Sequence, residues 1–219
     1  MAAPLTVALL TETPFVYALR LNKLPTIIYY GNSIVVRHVQ PDDMALLHSW
    51  LKSYEFSFYR PCLGEMCPGI LDLVERMITV SQFTPPLEIE VLIEHRATRT
   101  PIGMMALSGI DHINRKAEFS IGFVRGQGTR CTMEALHFGL EQAFSALNLR
   151  KLVFYVAAGN DRAQRFMTHY HMTEEGLLRE ELLLTSGKTL DLHRYALLLA
   201  DWEKGDLRRT LQRLVPLTL

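Results

Sequence analysis

At 219 residues and 48% hydrophobic side chains, the chain is long enough to fill one core and short for two independent domains. Lys plus Arg equals Asp plus Glu at 23 each, so net charge supplies no pull toward nucleic acid or an anionic membrane, and it disfavours a strongly anionic or cationic ligand. The odd set Cys62, Cys67 and Cys131 lacks the paired spacing of a zinc tetrahedron and suits a reducing cytoplasm, so no metal is expected. The first residues carry no basic segment ahead of an apolar run, and no run approaches the roughly 20 apolar residues of a membrane helix, so neither a signal peptide nor a membrane partner is expected.

Residues 1–32 carry apolar patches broken by Pro4, Pro14 and Pro25 and close on the turn residues Gly31 and Asn32; they are expected to be an extension of undetermined structure ahead of a domain at 33–219. From Ser33, SIVVRHVQ alternates as a strand does, and PDDMALLHSWL follows as a helix with Asp42 or Asp43 at its start. FYRPCLGEMCPGI reads as a loop and LDLVERMITV as a helix. EIEVLIEH, PIGMMALSGID and AEFSIGFV are three strands with short polar links, an antiparallel meander. Helical spacing returns in CTMEALHFGLEQAFSALN, with Met133, Leu136, Leu140, Ala143, Phe144 and Leu147 on one face. KLVFYVAA has the continuous apolar character of a strand buried on both sides. DRAQRFMTHYH is helical with Asp161 in its first turn, GLLREELLLT and TLDLHRYALL form a hairpin through Ser186-Gly187-Lys188, and DWEKGDLRRTLQRLVPL predicts one terminal helix.

Three stretches carry the chemistry. RGQGTR, residues 125–130, lies between a strand and a helix, and a glycine-bearing turn there presents main-chain N–H groups at the positive end of the helix dipole, the requirement for holding a diphosphate. NDRAQRFMTHYHMTEEG, residues 160–176, and the closing hairpin GLLREELLLTSGKTLDLHRYALLLADWEK complete the pattern. With these residues, from Ser33 to about Glu203, the chain resembles the GNAT superfamily, in the branch that includes the ribosomal-protein alanine N-acetyltransferases. That resemblance implies an α/β (α+β) GNAT fold, a mixed, mostly antiparallel central sheet flanked by helices.

The family's R/Q-x-x-G-x-G/A is met by Arg125, Gly126, Gln127 and Gly128, with Arg130 in place of the last small residue. A second register, set by Glu134-Ala135-Leu136, starts the motif at Gln127 and puts Arg130 and Thr132 at its small positions; one glycine is missing either way. In the second stretch the family's N-x-x-A-x-x-x-Y-x-x-x-G-F is matched at Asn160 and Ala163, while its tyrosine falls on Met167 and its Gly-Phe on His171-Met172.

By resemblance, acetyl-CoA or another acyl-CoA is the donor, the backbone of Phe123 and Val124 contacts its pantetheine arm, and Arg125, Gly126, Gln127, Gly128, Thr129, Arg130 and Asn160 form the rest of the cofactor site. Glu118 takes the general-base position, acting directly or through water. A thioether cannot donate a proton, so Met167 cannot serve as acid; the thiolate leaves unassisted or takes a proton from water or from Tyr170, three residues on. Asp111 and His112 are further candidates for the acceptor site, as are Phe56, Phe58 and Tyr59, while Cys62 and Cys67 are expected to pack rather than pair. His169 and His171 point apart on a helix, which does not suit a metal. The expected activity is direct transfer of an acetyl group to a primary amine in a ternary complex. The acceptor is a small molecule or peptide, such as a protein N-terminus, an amino sugar, a polyamine or an antibiotic amine, and the protein a monomer or homodimer. An acyl-CoA-binding or regulatory domain of weak activity is the alternative.

Overall fold

Every strand expected from the sequence forms, and together with one further strand at Ile27–Tyr30 they pair into a single eight-stranded sheet. The computed structural model describes residues 27–52, 69–81, 86–125, 129–184 and 186–217. In chain order the elements are β1 (Ile27–Tyr30), β2 (Ile34–His38), α1 (Met44–Leu51, entered through a 3-10 turn at Pro41–Asp43), α2 (Ile70–Ser81), β3 (Ile89–His95), β4 (Pro101–Asp111), β5 (Lys116–Phe123), α3 (Arg130–Glu141, running into a π turn at Gln142–Ala146), β6 (Lys151–Ala157), α4 (Asp161–His169), β7 (Thr173–Leu183), β8 (Thr189–Leu198), α5 (Leu199–Lys204) and α6 (Asp206–Leu214). The strand order is β1-β2-β3-β4-β5-β6-β8-β7, and every neighbouring pair is antiparallel except β5 with β6.

The alternation of each strand divides the core between two faces. Val91, Ile93, Met105, Leu107, Phe119, Phe154 and Tyr195 pack under Leu136, Leu140 and Phe138 of α3, Met167 of α4 and Leu211 of α6. Their neighbours Leu92, Met104 and Ala106 turn the other way, beneath Met44, Leu47 and Trp50 of α1 and Leu73 of α2. The entry to α1 is pinned by charge: Arg37 of β2 donates to both carboxylate oxygens of Asp43 at 2.7 and 2.8 Å and to Glu94 of β3 at 2.6 Å. The Asp43 contact, followed by Glu94, pushes the Arg37 guanidinium above its ordinary pKa against the opposing effect of burial. Among the described residues no helix is long and apolar enough to cross a membrane.

Two elements differ from the sequence reading. β1 pairs with β2 ahead of the domain boundary at residue 33, because Tyr29 stacks on Phe138 with ring centroids 4.7 Å apart and its hydroxyl donates to Glu134 at 3.1 Å. Four residues ending on a turn carry too little periodicity to announce such a strand. The predicted terminal helix is broken in two at Gly205, which takes an extended conformation (φ −76°, ψ 166°). There its N–H returns to the Asp201 carbonyl at 2.8 Å, and a Cβ would lie 2.3 Å from that same oxygen.

Candidate active site at the divided sheet

Parallel pairing between β5 and β6 lasts for three residues, Lys116–Lys151, Ala117–Leu152 and Glu118–Val153. Both strands continue, but with different partners. β5 stays with β4 as far as Gly103–Phe123, and β6 stays with β8 as far as Ala157–Leu192. The sheet therefore opens into a wedge beyond Glu118, and β5 leads from it to the start of α3. Thr129 stands before that helix in extended conformation (φ −90°, ψ 175°) and supplies no side-chain cap, so the first-turn amides face the region a bound anion would occupy.

Main-chain groups alternate in direction along a strand. The Val124 N–H donates to the Ile102 carbonyl at 2.9 Å, and Arg125 N–H approaches the same oxygen at 3.4 Å. The Val124 amide is thus committed to β4, a correction to its expected role as a donor to pantetheine, whereas the main-chain groups of Ile121 and Phe123 point toward β6. Phe123 is buried, its ring under α3, while Arg125, Thr129 and Arg130 are exposed. Gly126, Gln127 and Gly128 lie outside the described residues, as do Phe56, Phe58, Tyr59, Cys62 and Cys67.

Glu118 stands at the apex of the wedge. Ala117, Phe119 and Phe123 belong to the core under α3, so Glu118, Ser120 and Gly122 project to the face that carries α1 and α2. Glu118 is paired across the ladder with Ser108, whose hydroxyl donates to Glu88 at 3.1 Å. Arg76 of α2 bridges Glu88 at 2.6 Å and Glu90 at 3.1 Å. Among the described residues, Glu88 and Glu90 thus meet Arg76 on the face to which Glu118 projects, a second ionic group beside the Arg37–Asp43–Glu94 cluster.

Tyr170 lies on the opposite face. It closes the C-terminus of α4, with its ring 4.8 Å from that of Phe166 and 4.7 Å from that of His169. It opens onto a cleft of about 1000 Å³ beside α4, also lined by Met133, Arg165, Glu174, His193 and Tyr195. Glu118 and Tyr170 are therefore not brought to one face of the sheet. Met167 packs into the core beneath α3, one turn nearer the start of α4 than Tyr170. Asn160 caps α4, its side-chain oxygen accepting the Ala163 N–H at 3.2 Å.

Asp111 and His112 make local contacts in and beside the turn between β4 and β5. The Asp111 carboxylate accepts the amides of Ile113 and Asn114 and the Asn114 side chain, contacts with Asn114 that hold its pKa below the usual value. His112 meets the Pro86 carbonyl at 2.8 Å. Cys131 is a free, buried thiol whose pKa is pushed up by burial, which makes it a poor nucleophile.

Two groups escaped the sequence reading. His193 meets Glu174 at 2.8 Å beside buried Tyr195, whose phenol is pushed up by burial and by the Glu174 charge. Glu134 is 0% exposed, and its oxygens accept the Asn32 N–H at 2.5 Å, the Ser33 N–H at 2.7 Å and the Tyr29 hydroxyl. The one signal for it was a glutamate in step with the buried positions Cys131, Ala135 and Phe138.

Comparison with known proteins agrees with this architecture. The model of the acetyltransferase (GNAT) domain matches residues 33–173. The chain is 32% identical over 103 residues to a spermidine N(1)-acetyltransferase of Vibrio cholerae, covering 47% of this chain and 59% of that protein. It is 30% identical over 102 residues to YdaF of Bacillus subtilis, named provisionally as a ribosomal N-acetyltransferase, covering 46% and 55%. It therefore aligns with just over half the length of these curated relatives. Among solved structures, a spermidine N-acetyltransferase SpeG mutant of Vibrio cholerae superposes with a TM-score of 0.66 at 23% identity, over 78% of this chain and 97% of that one. The wedge between β5 and β6, the helix that opens at its mouth and the matched domain together place this chain in the GNAT family of acetyltransferases.

Proposed function

We propose that the protein transfers the acetyl group of acetyl-CoA to a primary amine by direct attack. The observation that carries this reading is the division of the sheet just beyond Glu118 and Val153. Main-chain groups of β5 pointing into the wedge suit an extended amide-bearing arm added as a further strand, and the start of α3 suits its diphosphate. Ile121 and Phe123 would hold the arm, while Arg125, Arg130 and the turn between them would meet the diphosphate. The donor supplies an activated acyl carbon. In the transfer, the amine nitrogen bonds to that carbon, the carbon–sulfur bond breaks, one proton passes from nitrogen to Glu118, and the thiolate leaves to be protonated by solvent or by Tyr170.

The acceptor fits the face that carries α1 and α2. Glu88, Glu90 and Glu118 project there among the described residues, carboxylates of the kind that receive an amine. The relative from Vibrio cholerae that acts on spermidine supports a polyamine, and YdaF supports an N-terminal amine. A reducing cytoplasm, in which the Cys131 thiol persists, goes with this reading.

The test is calorimetry with acetyl-CoA followed by thiol-release assays with spermidine and with a peptide bearing N-terminal alanine. Binding with turnover of either amine is expected; binding with no thiol release on a wide amine panel would replace the proposal with an acyl-CoA-binding regulatory domain. Met167→Tyr adds a second expectation. A phenol at that position restores a proton donor, so kcat rises several-fold if thiolate protonation limits the rate, and an unchanged kcat shows that solvent already suffices.

A further inference from the structure

We infer that Ser120 is a substrate contact, its hydroxyl oxygen accepting an N–H of the acceptor amine next to Glu118. This rests on the transferase reading above and adds a residue to it. Four buried side-chain polar atoms have no hydrogen-bond partner among the described residues: Gln40 Nε2, Ser120 Oγ, Arg194 Nε and Trp202 Nε1. Three have local explanations or lie elsewhere. Arg194 Nε still has Glu175 at 3.2 Å, Gln40 precedes the turn into α1, and Trp202 stacks on Phe144 beneath the C-terminal helices. Ser120 alone stands at the wedge.

Its placement is specific. Ser120 follows Glu118 by two residues on β5, on the same face, with Ala106 opposite it on β4 and the last β6 pairing already passed. The neighbouring strand thus offers a methyl group where a hydroxyl needs a partner. A buried hydroxyl without a hydrogen bond is unfavourable, and alanine of the same shape would be tolerated or preferred by the fold alone. An amine attacking a thioester must aim its lone pair at the carbonyl carbon, which leaves its N–H bonds needing acceptors on the other side. Glu118 provides one acceptor and Ser120 Oγ provides a second, so the pair fixes the direction of attack.

Ser120→Ala separates this role from a structural one. Without ligands, the Tm of the variant is expected to equal or exceed that of the wild type, since no internal bond is lost. The KM for acetyl-CoA stays unchanged. For whichever of spermidine and the N-terminal alanine peptide the wild type acetylates, kcat/KM falls roughly tenfold, chiefly through the amine KM, as loss of one such hydrogen bond implies. A lower Tm would reveal an internal partner and overturn the proposal. So would an unchanged amine kcat/KM, or a raised acetyl-CoA KM with the amine KM steady, which would place the hydroxyl on the donor. Wild-type protein that neither binds acetyl-CoA nor releases thiol removes the transferase reading itself, a result distinct from any defect confined to the variant.

Discussion

Glu118→Gln lowers kcat/KM for a primary amine by about 10²- to 10⁴-fold near neutral pH, the range for loss of a positioned general base. The amide keeps the shape and one acceptor oxygen of the carboxylate, so the wedge and its pairing with Ser108 and Val153 persist. Acetyl-CoA affinity by calorimetry therefore stays close to that of the wild type. What is lost is the capacity to hold a proton. The defect shrinks at alkaline pH, where a larger share of the amine is already neutral and the nitrogen proton can leave to hydroxide. A parallel loss at every pH would assign Glu118 to positioning, and an unchanged rate would remove it from the reaction.

Glu134→Gln destabilises the protein by about 3 kcal/mol, a fall in Tm of roughly 6–12 °C for a domain of this size. Both oxygens of Glu134 are used: Oε1 accepts from Tyr29 and the Asn32 amide, and Oε2 from the Ser33 amide. A glutamine has one acceptor, so its NH₂ must face a backbone donor inside a site that water does not reach. The turn cannot relax around it. A Cβ on Gly31 would already sit 2.1 Å from Oε1, and Asn32 is also tied to the Pro216 carbonyl at 3.3 Å. Because Glu134 lies in the second turn of α3, loosening it shifts the helix start, and the KM for acetyl-CoA rises with the loss of Tm. A Tm within a degree or two of wild type would show that the Tyr29–Ser33 turn finds other partners.

Much of this was legible in residue order. Strand-like runs, one of them the continuous apolar run of β6, announced seven of the eight strands, and helical spacing announced α1 to α4, because burial leaves its pattern in the chain. The start of α4 next to Asn160 was also plain. What the pattern did not reveal is the local partners of single side chains. The Asn160 side chain is occupied as a helix cap, Asp111 is occupied in its own turn, and Tyr170 faces the side of the sheet away from Glu118. Proximity in sequence indicates little about the direction a group faces once strands and helices cross.

The chain order by itself determined the layered architecture, the succession of strands around α3 and the glutamate at the head of β5, since each depends on neighbours a few residues apart. Only the tertiary structure decided where β5 and β6 separate, that the Val124 amide belongs to β4, that Glu88 and Glu90 gather beside Glu118, and that Glu134 anchors a turn about a hundred residues away. Those contacts join segments far apart in the chain. Their energies depend on burial and on which donors are left without partners, quantities that exist only after the sheet has closed.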